Sequence, residues 1–256
     1  MATKNDKAGG KTEQASTTTP AQQHHSRSFG AWLWDWTKSI AIALVVWMVL
    51  RTFLIEAFRI PSGSMENTLL VGDFLFVNKA LYGAEVPFTG KRLPAIREPE
   101  RGDILVFDSV EEDIKVVKRL IGMPGDTLSM QDGDLYRNGT RVDEPYALRT
   151  DPTKSEEPLQ RAKMRRWQVN HLVGRDPATY QPDLHDWGPI VVPRDSFFMM
   201  GDNRDSSYDG RYWGFLPRLN VRGRPLVVYF SFDKNSYKPL PYFSAIRWGR
   251  LFSTPN

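Results

Sequence analysis

The stretch DIKVVKRLIGMPGD, Asp113 to Asp126, has the two-residue period of a strand and ends on turn formers. Alternation assigns Ile114, Val116, Lys118 and Leu120 to one face and Lys115, Val117, Arg119 and Ile121 to the other. Lys118 is then the one charge on an otherwise apolar face. Outward from it lie further short β-branched and aromatic runs bounded by Gly, Pro and Asp: DFLFVNKALY (73–82), GDILVFDS (102–109), GDTLSMQDGDLYRNGTRV (125–142), SFFMMGD (196–202) and PLVVYFSFD (225–233). Asp132-Gly133 and Asn138-Gly139 are hairpin signals. The reading is a mostly β protein with an antiparallel sheet and little helix in this part of the chain.

The runs around residues 189–202 and 221–233 are too short to cross a bilayer, but an earlier one is a candidate. FGAWLWDWTKSIAIALVVWMVLRTFLIEAFRI precedes the β region, and Ser39–Leu50 within it carries no charge. Arg51 interrupts it short of the roughly 20 apolar residues of an ideal span. Trp32, Trp34 and Trp36 resemble an interfacial belt, and Lys38 and Arg51 can snorkel at the two ends. We therefore expect one transmembrane helix over residues 31–55, with no small-x-small cleavage site cleanly after it. Lys4, Lys7, Lys11, Arg27 and Lys38 precede the apolar run, whereas its near flank offers Arg51 and Arg59, which puts the N-terminus in the cytoplasm.

Composition bounds the rest. With 256 residues the chain can bury a sizeable core, and with no cysteine it can form neither disulfides nor thiolate sites. The net charge of +4 comes from 34 basic and 30 acidic residues, a mixed surface without the polybasic tract or aromatic stacking motif of a nucleic-acid binder. Residues 1–30 hold almost no large apolar side chains and read as a disordered tail, which leaves His24 and His25 without a site. Residues 56–143 and 194–235 read as the β domain, 144–193 as a polar, proline-broken inserted lobe, and 236–256 as a C-terminal extension. His171 and His185 lie in the lobe near Asp176, Asp183 and Asp186, without the spacing of a metal site.

Three stretches carry chemistry. Buried on its strand, Lys118 would lose part of its affinity for a proton and act as a general base; on an edge strand it would only snorkel to water. In RIPSGSMENTLLVGD, Arg59 to Asp73, Ser62 and Ser64 flank a glycine that permits close backbone approach. This is either a turn at the membrane exit or a nucleophile in need of a base. With histidine confined to the tail and the lobe, a lysine amine is the most economical activator. The third, MMGDNRDSSYDGRYWGF (199–215), is a loop dense in turn formers that could brace such a site.

PSGSMENTLLVGD, GDILVF, KVVKRLIGMPGD and GDNRDSSYDGRYWGF, in that order behind an anchor, resemble bacterial-type signal peptidase I. The resemblance covers about Phe53 to Phe230 and is weak over 144–193. It implies Ser64 as nucleophile, Lys118 as general base, and the Ser62 hydroxyl joining the Ser64 backbone N–H in an oxyanion hole. It further implies Ser207 as a serine that bonds and orients the lysine, with Asp209, Arg211 and Asp202 in support. Tyr208 and Gly210 stand where many members carry other small or polar residues. The implied substrate is an exported preprotein with small side chains at the first and third positions before the cut, bound near Ile60, Val106 and Ile121, with Phe58 and Leu69 also plausible lining. The implied enzyme is a cofactor-free, metal-free single-pass protein of the bacterial inner membrane, monomeric, with an extracytoplasmic catalytic domain and no nucleic-acid partner.

Three other readings are weighed. A self-cleaving repressor protease shares the dyad but carries a DNA-binding segment where this chain has its anchor. A penicillin-binding protein needs Ser-x-x-Lys, and Ser64 is followed by Met65, Glu66 and Asn67. An anchored extracytoplasmic β domain that binds partners without catalysis, as a catalytically dead relative would, is the real competitor; the presence of both Ser64 and Lys118 argues against it, though neither residue alone does.

Overall fold

The computed structural model describes residues 29–151 and 153–255; of the tail expected over 1–30, residues 1–28, with His24 and His25, lie outside them, and Phe29 and Gly30 belong to the first helix. Contacts divide the chain after Leu44, and the apolar helix up to that residue is a unit by itself. Helix α1 runs over Phe29–Val49 and continues as a wider π turn over Leu50–Leu54, so Arg51 does not end it. The stretch Trp32–Leu54 is long and apolar enough to cross a membrane. Lys38 Nζ lies 5.5 Å from the centre of the Trp34 ring and pairs with Asp35 at 3.4 Å, and the Arg51 guanidinium lies 5.3 Å from the centre of the Trp47 ring, so each flanking cation rests near an aromatic face.

From Ile55 onward the chain is mostly β structure. Strands β1 (Ile55–Arg59), β2 (Asp73–Asn78), β3 (Ile104–Asp108) and β4 (Lys115–Gly122) are followed by β5 (Thr127–Gln131), β6 (Asp134–Arg137) and β7 (Thr140–Arg141). Helix α2 (Pro158–Gln168) precedes β8 (Trp187–Val191) and β9 (Ser196–Met200). The four-residue helix α3 (Gly210–Trp213), β10 (Leu216–Pro217), β11 (Val221–Ser231) and a last short helix, α4 (Pro241–Ser244), complete the order. A seven-stranded sheet has the order β1-β2-β11-β3-β4-β9-β10, and a four-stranded sheet the order β7-β6-β5-β8. Every named strand pair is antiparallel, as the hairpin signals predict.

The smaller sheet joins residues on both sides of position 143, because β8 pairs with β5. The stretch expected as an inserted lobe thus supplies one of this sheet's strands as well as α2. Helix α2 starts with Pro158 at its first turn, where the missing N–H costs nothing, and buries Met164 and Gln168. The polar, proline-broken composition hid it.

Strand β4 lies inside the large sheet, between β3 and β9, and is buried continuously from Lys118 to Gly122. One cluster gathers Leu105, Phe107 and Leu120 with Val116 against it, the face that alternation assigns to Lys118. A second gathers Ile60, Met65, Leu69, Leu75, Ile104 and Val228, with Phe58 and Val117 against it. The other face of β4 is therefore covered too, and Lys118 does not lie on an edge where it could snorkel.

Candidate active site

The chain leaves β1 and turns sharply. Ile60 donates its N–H to Asp73 O at 2.8 Å and accepts Gly72 N–H at 3.1 Å, which pins the entry. Ser62 is extended and exposed, and Gly63–Met65 forms a single 3₁₀ turn. Met65 anchors that turn in the cluster with Ile60 and Leu69, leaving Ser64 half-buried beside it. The turn packs against β4 and against a second turn, Arg204–Ser206, of the loop that follows β9.

Lys118 is 3% exposed and makes no hydrogen bond or ion pair among the described residues. Burial pulls its pKa down to about 8; the Asp209 carboxylate counters this, Arg211 adds to it, and Asp202 opposes it. An amine of this kind is protonated in part and can exchange a proton near neutral pH.

Gly201 explains how close these segments come. Continuing the Arg119↔Met200 register by one residue sets Gly201 opposite Lys118. A Cβ on Gly201 would lie 2.4 Å from the Ser64 carbonyl oxygen and 2.2 Å from Ser207 Oγ. Only a residue without a side chain fits between them. The Ser207 hydroxyl is buried and has no hydrogen-bond partner among the described residues, so the bond to Lys118 implied by the resemblance is not formed here. The Ser207 side chain and the Ser64 carbonyl both abut Gly201, leaving that hydroxyl with unused bonding capacity inside the site.

Two of the buried ion pairs that hold the loop bear on Lys118. Asp209 and Arg211 are both fully buried; Arg211 Nε donates to Asp209 Oδ1 at 2.9 Å and Nη2 to Oδ2 at 3.0 Å. Asp209 Oδ2 also accepts the Gly201 N–H at 3.0 Å, and Arg211 Nη2 reaches Arg204 O at 2.6 Å. Burial alone would raise the Asp209 carboxyl, but Arg211 and the Gly201 N–H reverse this and hold it below the usual range. Asp202 accepts Arg119 Nε and Nη2, both at 2.8 Å, and Thr68 Oγ1 at 2.5 Å. Thr68 lies just past the Gly63–Met65 turn, so this pair ties that segment to β4.

Sequence reasoning missed several members of this frame. Arg119 is a charge on an apolar strand just as Lys118 is, and that was the available signal. Its guanidinium lies 3.9 Å from the centre of the Tyr146 ring, and Tyr146 O accepts Asn67 Nδ2 at 3.1 Å. Arg204 forms a two-pronged buried pair with Glu144 at 2.6 and 2.7 Å. Glu144 and Tyr146 open the stretch read as an insertion, and nothing local in it announces their partners.

The expected substrate-contacting residues separate. Ile60, with Phe58 and Leu69, belongs to the cluster that also holds Met65 of the Gly63–Met65 turn, and Val106 pairs with Val117 of β4 nearby. Ile121 packs instead with Leu128, Met130 and Trp187 in the core beneath the smaller sheet. No group of three or more His, Cys, Asp or Glu residues arranged to hold a metal occurs among the described residues.

Residues 33–230 match the model of the family described as signal peptidase, peptidase S26. The chain belongs to this family. Signal peptidase I of Pseudomonas aeruginosa is 37% identical over 226 residues, covering 83% of this chain and 78% of that protein. Signal peptidase I of Bacillus licheniformis is 36% identical over 203 residues, 79% of this chain and 91% of that one. A crystal structure of a signal peptidase I from Enterococcus faecalis shares 32% identity and covers 51% of this chain and 98% of that chain, with a TM-score of 0.34. The S26 family consists of membrane-associated hydrolases that remove signal peptides, and the apolar helix over Trp32–Leu54 fits that setting.

Proposed function

We propose that this chain is a signal peptidase I that cleaves exported preproteins after a small-x-small motif, with Ser64 as nucleophile and Lys118 as general base. The observation that carries the proposal is the buried, unpaired Lys118 amine with a pKa lowered to about 8, on a strand against which the Ser64 turn packs. At pH 7 about one molecule in ten then carries the neutral amine.

Lys118 accepts the Ser64 proton as Oγ attacks the scissile carbonyl, and the negative charge that develops on the carbonyl oxygen meets the Ser64 N–H and the Ser62 hydroxyl. The tetrahedral adduct collapses with cleavage of the C–N bond. Lys118 gives its proton to the departing amine, which leaves as the new N-terminus of the mature protein. Water then attacks the Ser64 ester, Lys118 takes its proton, and the signal peptide departs as a carboxylate with Ser64 regenerated. Ser207, its hydroxyl unpartnered beside Gly201, turns to orient the lysine during turnover, and the Asp209–Arg211 and Asp202–Arg119 pairs hold the loop and strand on either side of it. Ile60, Phe58 and Val106 line the shallow pocket for the small side chains; Ile121 supports β4 from behind.

The enzyme works as a monomer at the bacterial inner membrane, its N-terminus in the cytoplasm and its β domain outside. The test is cleavage of a preprotein bearing a small-x-small site by wild type, Ser64→Ala and Lys118→Ala in detergent, with folding checked by circular dichroism. Cutting by wild type alone, with both variants folded, is the expected result. An inert folded wild type, or a Ser64→Ala that cuts as fast, overturns the proposal in favour of an anchored binding domain.

A further inference from the structure

Beyond the dyad, the loop after β9 forms one wall of a cavity of about 610 Å³. Asp205, Ser206, Ser207, Tyr208 and Tyr212 line one side, and Lys154 to Glu157 with Gln160 line the other. We infer that this cavity receives the first residues of the mature chain, on the leaving-group side of the scissile bond, and favours basic over acidic side chains there. The inference rests on the peptidase reading given above.

The direction follows from the proton. Lys118 must hand the Ser64 proton to the departing nitrogen, so the chain beyond the cut passes the lysine. Ser207 abuts the same Gly201 that separates it from the Ser64 carbonyl, and Ser207 is also part of the cavity wall. The acyl side leads the other way, towards Ile60 and Phe58 in the cluster under the nucleophile turn.

The lining offers acceptors to a peptide. Gln160 Oε1 is buried with no partner, as is Ser207 Oγ, which belongs to a residue only 5% exposed. Three carboxylates, Glu156, Glu157 and Asp205, face one ammonium, Lys154, for a net charge of −2 (1 − 3). Glu156 is held by the Tyr212 hydroxyl at 2.5 Å, Asp205 accepts the Thr150 and Asp151 N–H groups, and Lys154 donates to the Asp205 carbonyl. The exposed Glu157 side chain has no hydrogen bond or ion pair among the described residues and is the charge free to meet a ligand. Tyr208 stiffens the rim: it stacks on Tyr212 with centroids 5.0 Å apart, donates to Glu111 at 2.7 Å and bonds Lys163.

Peptides sharing one small-x-small site, with Lys, Ala or Glu at the second and third positions after the cut, test this in the full-length enzyme. The expected order of kcat/KM is Lys above Ala above Glu, about threefold per step at low salt and shrinking as salt is added. Glu157→Gln weakens the preference, and Glu157→Lys, which brings the lining to no net charge, flattens it. Glu100→Lys, the same charge change at an exposed residue outside the cavity lining, keeps the wild-type order. A wild type that cuts all three peptides equally, or a Glu157→Lys that retains the wild-type order, overturns the inference and leaves the peptidase reading standing. If folded wild type cuts none of them, the peptidase reading fails and the inference with it.

Discussion

The carbonyl oxygen of Ser64 accepts the backbone N–H of Asn203 at 3.1 Å, and Asn203 Nδ2 donates to Gly63 O at 3.2 Å. A loop more than a hundred residues downstream thus fixes the backbone of the Gly63–Met65 turn, and Gly201 stands at a point of close approach. The same loop carries Ser207, Asp209 and Arg211. Placement of Ser64 and the electrostatics at Lys118 are set by one element.

Gly201→Ala should therefore damage the site more than the fold. Its Cβ would meet the Ser64 carbonyl at 2.4 Å, a backbone atom that cannot swing aside. We expect peptide cleavage to fall at least about 100-fold, since displacements of about 1 Å carry costs of that order. Gly249→Ala, where an added Cβ meets nothing within 4 Å, should cut at the wild-type rate. Steady-state kinetics of the two variants, with thermal melts alongside, checks this.

The pH dependence of kcat/KM should carry a limb from Lys118. The amine is active when neutral and its pKa is lowered to about 8, so the rate should rise about tenfold per pH unit below pH 8 and level off above it. A profile flat from pH 6 to pH 9 would remove Lys118 as the base.

How much of this was legible in the sequence differs by residue. Lys118 and its strand could be read because an apolar alternation with one charge is a local pattern. The hairpins at Asp132-Gly133 and Asn138-Gly139 are local too, and β5, β6 and β7 form where they predict. Arg119 was in plain view, yet its partners, Asp202 and the Tyr146 ring, lie 83 and 27 positions away. The pairing of β8 with β5 likewise depends on a return of the chain across α2, which no short window records.

Ser62 offers a further separation of rate from stability. Its side chain is exposed and makes no hydrogen bond among the described residues, whereas the proposed mechanism uses its hydroxyl as the reaction charge develops. Ser62→Ala should lower kcat by about 10- to 1,000-fold, leave KM within about twofold, and melt with wild type. Equal loss of kcat and of melting temperature would assign Ser62 to the fold.

The Asp202–Arg119 pair should behave as buried pairs do when one partner is removed. Arg119→Met leaves the Asp202 carboxylate without its two bonds at 2.8 Å in a site that is 0% exposed. A loss of about 3–5 kcal/mol in urea unfolding is expected. The double variant Arg119→Met/Asp202→Leu should recover much of it, because the uncompensated charge is gone. A double variant no more stable than the single would mean that Arg119 acts through packing on Tyr146.

Lys118 itself should destabilise the protein that depends on it. Its pKa falls from 10.5 to about 8 on folding, so between these values the unfolded chain holds a proton that the folded one has released. Below pH 8 the folded protein must keep a buried ammonium, and the full cost, about 3 kcal/mol, applies. As pH rises from 8 to 10.5 that cost fades, and this group's contribution to stability improves with pH. Lys118→Met, which fills the same space without the charge, should then be catalytically dead and more stable than wild type at pH 7, by an amount approaching that figure. Near pH 10 the two should unfold at closely similar urea concentrations. A Lys118→Met variant less stable than wild type at pH 7 would show that the amine has a bonding partner in the folded protein, and would raise the pKa on which its role as a base depends.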